Sequence, residues 1–281
     1  MRALHINRTG PFFLRNSGEY TVEDFEILTT VLSALKWREK NGSIKMVTDS
    51  VGAEFYKSRG MEDLWDDGTD IALDDISVDE RMFWAAGKLY ALRREKAPIA
   101  VIDTDFIVWD SILFDALPPL CAVHDEPLYP DVYPSPEVFR MKDGYTLDPS
   151  LDIGVNALNT AFFVIRDQRL LKRYTDEAVR FMENALPTGD SLTYMVFAEQ
   201  RLLPMCAKAE GIEYGTFSTL EKLFKNGDGF FTHTWGMKQQ MRDDARLREA
   251  FCRRCIGRII SDFPQYEAML RGIQETEKYF S

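Results

Sequence analysis

The run Pro98-Ile-Ala-Val-Ile-Asp-Thr-Asp-Phe-Ile-Val-Trp-Asp110 constrains this 281-residue chain more than any other segment. Its apolar stretch ahead of Asp103 is too short for a helix and suits a central strand buried on both faces. Such a strand belongs to a sheet covered by helices. Around it, short apolar runs alternate with longer helical patterns. Ala3–Ile6 and Ile44–Thr48 read as strands. Phe25, Leu28, Leu32 and Leu35 recur at helical spacing between Val22 and Lys40, where Asn41-Gly42 stops them. A helix starts at Ala53 and ends near Gly60, and another carries Met82, Ala85, Ala86, Leu89 and Tyr90 on one face. Thr160–Ile165 and Phe230–Thr232 read as strands, Asp167–Asn184 and Ser191–Arg201 as helices. The acidic stretch from Glu62 to Glu80 reads as a solvated connection. This alternation predicts an α/β fold, a Rossmann-like mixed sheet flanked by helices. Neither repeats nor linkers interrupt it, so one domain is expected over residues 1–238, with a helical C-terminal extension, 239–281, packed on it.

Asp103-Thr104-Asp105 closes the apolar run. In extended chain, residues i and i+2 share a face, so both carboxylates can address one site. Hard oxygen ligands at the carboxyl end of a strand suit Mg²⁺ or Mn²⁺, with diphosphate oxygens completing the shell. The ligand crevice of an open α/β sheet lies at that same end. A phosphatase motif of the form D-x-D-x-[TV]-[LV] fits less well, because Ile107 stands where that motif needs Thr or Val. His233-x-x-Gly236-x-Lys238 is the second constellation. An imidazole joining the two carboxylates as third ligand favours Mn²⁺ over Mg²⁺. Gly236 would let backbone approach a phosphate, and Lys238 would offset its charge.

Charge and cysteine content narrow the partners. With 34 basic against 45 acidic residues the chain carries −11, which argues against nucleic acid. Four cysteines make no disulfide framework, and Cys252-x-x-Cys255 reads as a pair of structural thiols on a helix. No apolar run reaches the roughly 18 residues of a membrane span. The opening stretch, MRALHINRTGPFF, lacks the apolar centre of a secretion signal, so the cytoplasm is the expected compartment.

VIDTDFIVWD, NTAFFVIRD, AEQRLL and HTWGMK occur in that order. Together they resemble the GT-A fold glycosyltransferases that use nucleotide-sugar donors, nearest the glycogenin and lipopolysaccharide galactosyltransferase group. The resemblance spans most of residues 44–238 and is carried by these short motifs. It implies a metal-dependent transfer of a sugar from a nucleotide-diphosphate-sugar to a glycan or lipid-linked acceptor, with retention of configuration. By the same resemblance Asp105 holds Mn²⁺, Asp103 holds the donor ribose, His233 ligates the metal and Lys238 binds phosphate. The Gly-to-Lys spacing here is one residue shorter than in the family. Asn159, and the pair Glu199-Gln200, are its counterparts of the family's catalytic positions, with Glu where the family has Asp. Base contacts in this fold come from the ends of the first two strands, which points to His5, Asn7 and Asp49. The acceptor is expected at the Pro- and Tyr-rich loop His124–Asp152, where Tyr129, Tyr133, Phe139 and Tyr145 either stack on sugar rings or pin the loop. A local excess of cations over 238–258 allows peripheral contact with the inner face of a membrane, or forms a solvated helix face. A metal-dependent phosphohydrolase and an inactive sugar- or nucleotide-binding module are the alternatives.

Overall fold

The computed structural model describes residues 1–225 and 229–280. Eleven strands lie among them: β1 (Ala3–Asn7), β2 (Ile44–Thr48), β3 (Thr69–Asp70), β4 (Ile99–Ile102), β5 (Phe106–Val108), β6 (Leu120–Ala122), β7 (Asp125–Glu126), β8 (Ala157–Leu158), β9 (Phe162–Ile165), β10 (Tyr214–Thr216) and β11 (Phe231–His233). Seven form the central sheet in the order β10-β6-β9-β4-β1-β2-β3. All of its pairings are parallel except those of β9, which runs against both β4 and β6. The main helices are α1 (Asp24–Lys40), α2 (Ser50–Ser58), α3 (Ala86–Arg93), α4 (Gln168–Asn184), α5 (Leu192–Val196), α6 (Leu202–Ala209) and α7 (Ala245–Asp262). This is the mixed, Rossmann-like α/β sheet that the alternating pattern predicts.

The period-two alternation of strand side chains divides the core between two faces. Leu4, Val101, Phe163 and Ile165 join one apolar cluster, with α3, α4 and α6. Ala3, Ala100, Ile102, Phe162 and Val164 join the other, with α1 and α7. Strand β4 is buried along its whole length, as its unbroken apolar run requires. Gly60 ends α2 in the left-handed region, at φ +67°. Asp49, Asp167 and Asp244 cap α2, α4 and α7, each accepting from backbone N–H groups of the first turn.

Three expectations need correcting. The aspartate pair is not extended strand: β4 stops at Ile102, and the Phe106 N–H donates to the Asp103 carbonyl at 2.9 Å, closing a turn before β5. The stretch from Glu62 to Glu80 is more than a solvated connection, because it holds the edge strand β3 and buries Leu64, Trp65 and Leu73. The helix from Ser191 does not end at Arg201; it widens into a π-helical turn, Phe197–Arg201, and continues as α6.

The long loop after β6 is tied at its base, where β7 pairs antiparallel with β8. Phe139 packs against Tyr194, Phe197 and Phe181 with ring centroids 4.7, 4.8 and 5.3 Å away. Tyr133 is also buried, so these two rings pin the loop to the body, while Tyr129 stays exposed. The four cysteines are buried and free. No helix among the described residues is long and apolar enough to cross a membrane.

Residues beyond 238 share the core. Phe251, Cys252, Cys255, Ile256 and Ile259 of α7 belong to the cluster built on α1. The basic stretch is divided: Lys238 and Arg248 are partly covered and pair with Glu26 and Asp24, whereas Arg242, Arg253 and Arg258 are exposed and pair with Glu23, Glu249 and Asp262. Asp24 anchors the arrangement. It is 2% exposed and accepts from Arg248 at 2.7 Å and the Tyr279 hydroxyl at 2.6 Å, with Lys278 2.8 Å away. Burial pushes this carboxyl up, but the bonds from Lys278, Tyr279 and Arg248 outweigh that, leaving it below its ordinary 3.8. Removing one partner of a buried charge network costs about 3–5 kcal/mol. Asp24→Asn should therefore lower the unfolding free energy by about 3 kcal/mol in urea titrations at pH 7. The folded-state value is depressed, so the contribution is intact above pH ~4 and is lost as acid takes the pH through the depressed value. The difference between wild type and variant should close in that range.

Candidate functional site

The strand order reverses between β1 and β4, the place where open α/β sheets bind ligands outside their carboxyl ends. Asp103 stands at the end of β4, and the turn that follows sends its two carboxylates to different partners. Asp103 Oδ1 lies 2.8 Å from Lys88 Nζ. Lys88 comes from α3, a helix buried almost all round, and its ammonium also meets Glu199 Oε1 at 2.5 Å and the Thr160 carbonyl at 3.1 Å. Glu199, 3% exposed, accepts a second bond from the Thr160 hydroxyl at 2.9 Å. Burial alone would lower Lys88, but Asp103 and Glu199 together raise it above its ordinary 10.5. Burial pushes the Asp103 carboxyl up, with Asp105 and Glu199 adding to it and Lys88 pulling the other way.

Asp105 belongs to a second group. The ribbon formed by β5 and β11 pairs His233 with Phe106, and the Thr234 N–H donates to the Asp105 carbonyl at 3.1 Å. That register brings His233 Nε2 to 3.7 Å from Asp105 Oδ1 and Lys238 Nζ to 3.0 Å from Oδ2. Lys238 bridges onward to Glu26 of α1 at 2.9 Å. Burial would raise Asp105, yet Lys238 and His233 bring it below its ordinary value. Burial lowers His233, against the pull of Asp105. The imidazole is therefore neutral at pH 7 and able to ligate. Gly236 is exposed, and a Cβ there would meet nothing within 4 Å.

A divalent ion is implied by the resemblance, and the side chains fit it in part. Asp105 and His233 supply a carboxylate and an imidazole on one side of the turn, a pairing suited to Mn²⁺. Asp103 does not join them, being held by Lys88. Among the described residues no three His, Cys, Asp or Glu side chains gather as a ready cage. The pair fits two positions of a shell whose remainder would come from donor oxygens and water, the usual arrangement where a substrate phosphate shares the ion.

The remaining expected residues divide clearly. His5 is fully buried: its Nδ1 accepts from the Trp65 indole N–H at 3.2 Å, and Nε2 lies 2.9 Å from Ser33 Oγ. Ser33 spends its own proton on the Phe106 carbonyl, so Nε2 must carry the hydrogen. Burial lowers this imidazole to about 3. His5 is thus a neutral packing residue and not a base contact. Asp49 is corrected likewise. It is 1% exposed and fully engaged by Arg8, by the Thr9 backbone and hydroxyl, and by the Gly52 N–H that it caps. Asn7, half-buried at the end of β1, exchanges hydrogen bonds with the Tyr20 hydroxyl. Asn159 accepts from the Ala161 N–H at 3.2 Å and reaches Glu126 at 3.4 Å. Gln200 accepts from the Tyr133 hydroxyl at 2.5 Å. Lys88 escapes the motif reading, although its i+3 and i−4 spacing from Ala85 and Leu92 places it on an apolar face where a lone lysine needs an explanation.

Residues 8–123, fewer than half of the chain, match a family of unknown function (DUF6734). No curated protein matches the chain. Among solved structures it is similar to the PaToxG glycosyltransferase, at 12% identity and a TM-score of 0.40, over 99% of this chain and 85% of that one. Mouse xyloside xylosyltransferase 1 in its apo form gives 9% identity and a TM-score of 0.39, over 77% and 84%. The glycosyltransferase GlyE of Streptococcus pneumoniae TIGR4 gives 13% identity and a TM-score of 0.32, over 80% of this chain and 46% of that one.

Two measurements follow from the geometry. Lys88→Met leaves two neighbouring carboxylates without their cation and should cost about 3–5 kcal/mol in denaturant titration; a loss under about 1 kcal/mol would show that the network holds nothing together. Histidine NMR should find the His5 ring neutral throughout pH 5–8 and His233 titrating with a midpoint under 6.5. A His5 midpoint near 6.5 would place that ring in solvent.

Proposed function

We propose that the protein is a glycosyltransferase that takes a sugar from a nucleotide-diphosphate-sugar, dependent on Mn²⁺ or Mg²⁺. One observation carries this reading: the turn at the end of β4 holds two aspartates, each against its own half-buried or buried lysine, at the sheet's reversal point. A divalent ion held by Asp105 and His233 would supply electrostatic stabilisation of the leaving diphosphate. Lys238 already rests on Asp105 and Glu26, and binding of a diphosphate gives its ammonium a third anion to meet. Fixed charge of that kind is worth several kcal/mol where negative charge develops. Lys88 holds Asp103 in place, and about a third of the Asp103 side chain remains open to accept from a donor hydroxyl. Asn7, with Tyr20 bonded to it, is the residue left at the end of β1 to meet the base.

Glu199 and Gln200 face opposite tasks on one π-helical turn. Glu199 balances Lys88, and Gln200 is held by Tyr133 of the loop, so loop and donor site are joined through adjacent residues. This supports an acceptor, a glycan or a lipid-linked sugar, entering beside that loop. Retention of configuration rests on the family resemblance.

Calorimetric titration of UDP and GDP, with Mn²⁺ and then with EDTA, tests the reading. One nucleotide should bind in a metal-dependent manner, and Asp105→Asn should weaken it about a hundredfold, near 2.8 kcal/mol. Metal-independent binding unchanged in Asp105→Asn would remove the role assigned to the turn. Hydrolysis of a sugar nucleotide within its diphosphate, to nucleoside monophosphate and sugar phosphate in place of nucleoside diphosphate, would make the protein a phosphohydrolase.

A further inference from the structure

The π-helical turn carries a group that the donor site does not use. Arg201 is 2% exposed, the most deeply buried cation among the described residues outside the site just described. Its Nη2 donates to the Ile153 carbonyl at 2.5 Å. Its Nε and Nη1 are buried and have no hydrogen-bond partner. Nε carries one N–H and Nη1 two, all on a group that stays charged, and guanidinium donors left unpaired in an interior are costly. Asp152, the acid whose charge acts on it, is already committed: Oδ2 to Lys208 at 2.6 Å and Oδ1 to the Gly154 N–H at 2.8 Å.

The position of this guanidinium is informative. It follows Glu199 by two residues and Gln200 by one. Tyr133, which donates to Gln200, lies within electrostatic reach of Glu126, Glu199 and Arg201 together. Above Arg201 runs the turn at residues 152–154, whose Ile153 is 45% exposed, so its single bonded carbonyl belongs to a surface residue. Burial lowers the guanidinium from its ordinary 12.5, with Tyr133 and Asp152 pulling the other way. In a chain of net charge −11 an anionic second substrate needs one locally matched cation.

We infer that Arg201 is an oxyanion-binding residue, taking a phosphate or carboxylate group of the acceptor once the 152–154 turn lifts away from it. The placement of that anion on the acceptor rests on the transferase reading; the anion site itself does not. Arginine suits this chemistry because its planar donors match the oxygens of either group.

Thermal unfolding of the whole protein tests it, with inorganic phosphate compared against chloride at equal ionic strength. Phosphate stabilises proteins non-specifically in proportion to its concentration, so saturation is the criterion. The wild type should gain about 3–5 °C, saturating at low-millimolar phosphate, and Arg201→Met should lose that response. In chloride alone Arg201→Met should melt at or above the wild-type temperature, since it removes an unpaired buried charge. A linear, unsaturable response that is equal in both proteins would overturn the proposal. Crystals soaked in selenate need no variant: an anomalous peak beside Nε or Nη1 supports the site, and an ordered water alone in that place overturns it. Repeating the phosphate series with UDP and Mg²⁺ at saturation separates the two sources of the anion. Additive shifts place it on the acceptor, whereas loss of the phosphate response assigns it to the donor and overturns that placement. Should UDP fail to bind while phosphate still saturates, the transferase reading falls and the anion site stands.

Discussion

A lysine ammonium buried at the end of the central strand is the constraint on which the site is arranged. Lys88 cannot sit in the interior without counter-charge, and three elements converge to supply it: Asp103 from the turn after β4, the Thr160 carbonyl ahead of β9, and Glu199 from the π-helical turn. Charged pairs of this kind contribute little net stability against a well-packed apolar replacement, while leaving one member unpaired is expensive. What the arrangement secures is position. The wider turn at Phe197–Arg201 sets Glu199 against Lys88, while the Tyr174 hydroxyl holds the Glu199 carbonyl at 2.7 Å. Such local departures from regular helix recur at functional sites.

A second cation, Lys238, does for Asp105 what Lys88 does for Asp103, with a difference in commitment. Lys88 is enclosed, with Glu199 buried beside it and Asp103 about a third exposed. Lys238 is about a quarter exposed and shared between Asp105 and Glu26. The two aspartates thus have different surroundings even though one residue separates them: Asp103 meets an enclosed lysine, and Asp105 faces the imidazole and a lysine shared with Glu26. Proton affinities agree, the first carboxyl raised by burial and the second lowered by its cations.

Much of this was legible in the residues alone. The apolar run before Asp103 marked β4, the breakers marked α1 and α2, and the alternation marked the sheet. The pairing of Asp105 with His233 and Lys238 also follows from motifs more than a hundred residues apart. Other features were hidden because they are tertiary. An i, i+2 rule holds only while the chain is extended, and the turn at Thr104 separates the two carboxylates. His5 and Asp49 sit at strand ends, as base contacts do, but neighbours brought by other elements, Trp65, Ser33 and Arg8, use up their polar atoms. Lys88 carried no motif at all. Only its lone charge on an otherwise apolar helix face signalled that a buried partner must exist. Arg201 likewise looks like an ordinary helical arginine until its enclosure is seen.

The place where a nucleoside diphosphate and its metal sit is the most direct test of these assignments. A crystal structure of the protein with Mn²⁺ and the nucleotide it binds, with data collected at the manganese absorption edge, addresses this in one experiment. The anomalous peak is predicted about 2.0–2.2 Å from an Asp105 oxygen and from His233 Nε2, with Lys238 turned onto the diphosphate and Lys88 unmoved between Asp103 and Glu199. A nucleotide bound away from the end of β4, or a manganese peak that touches neither Asp105 nor His233, would contradict it.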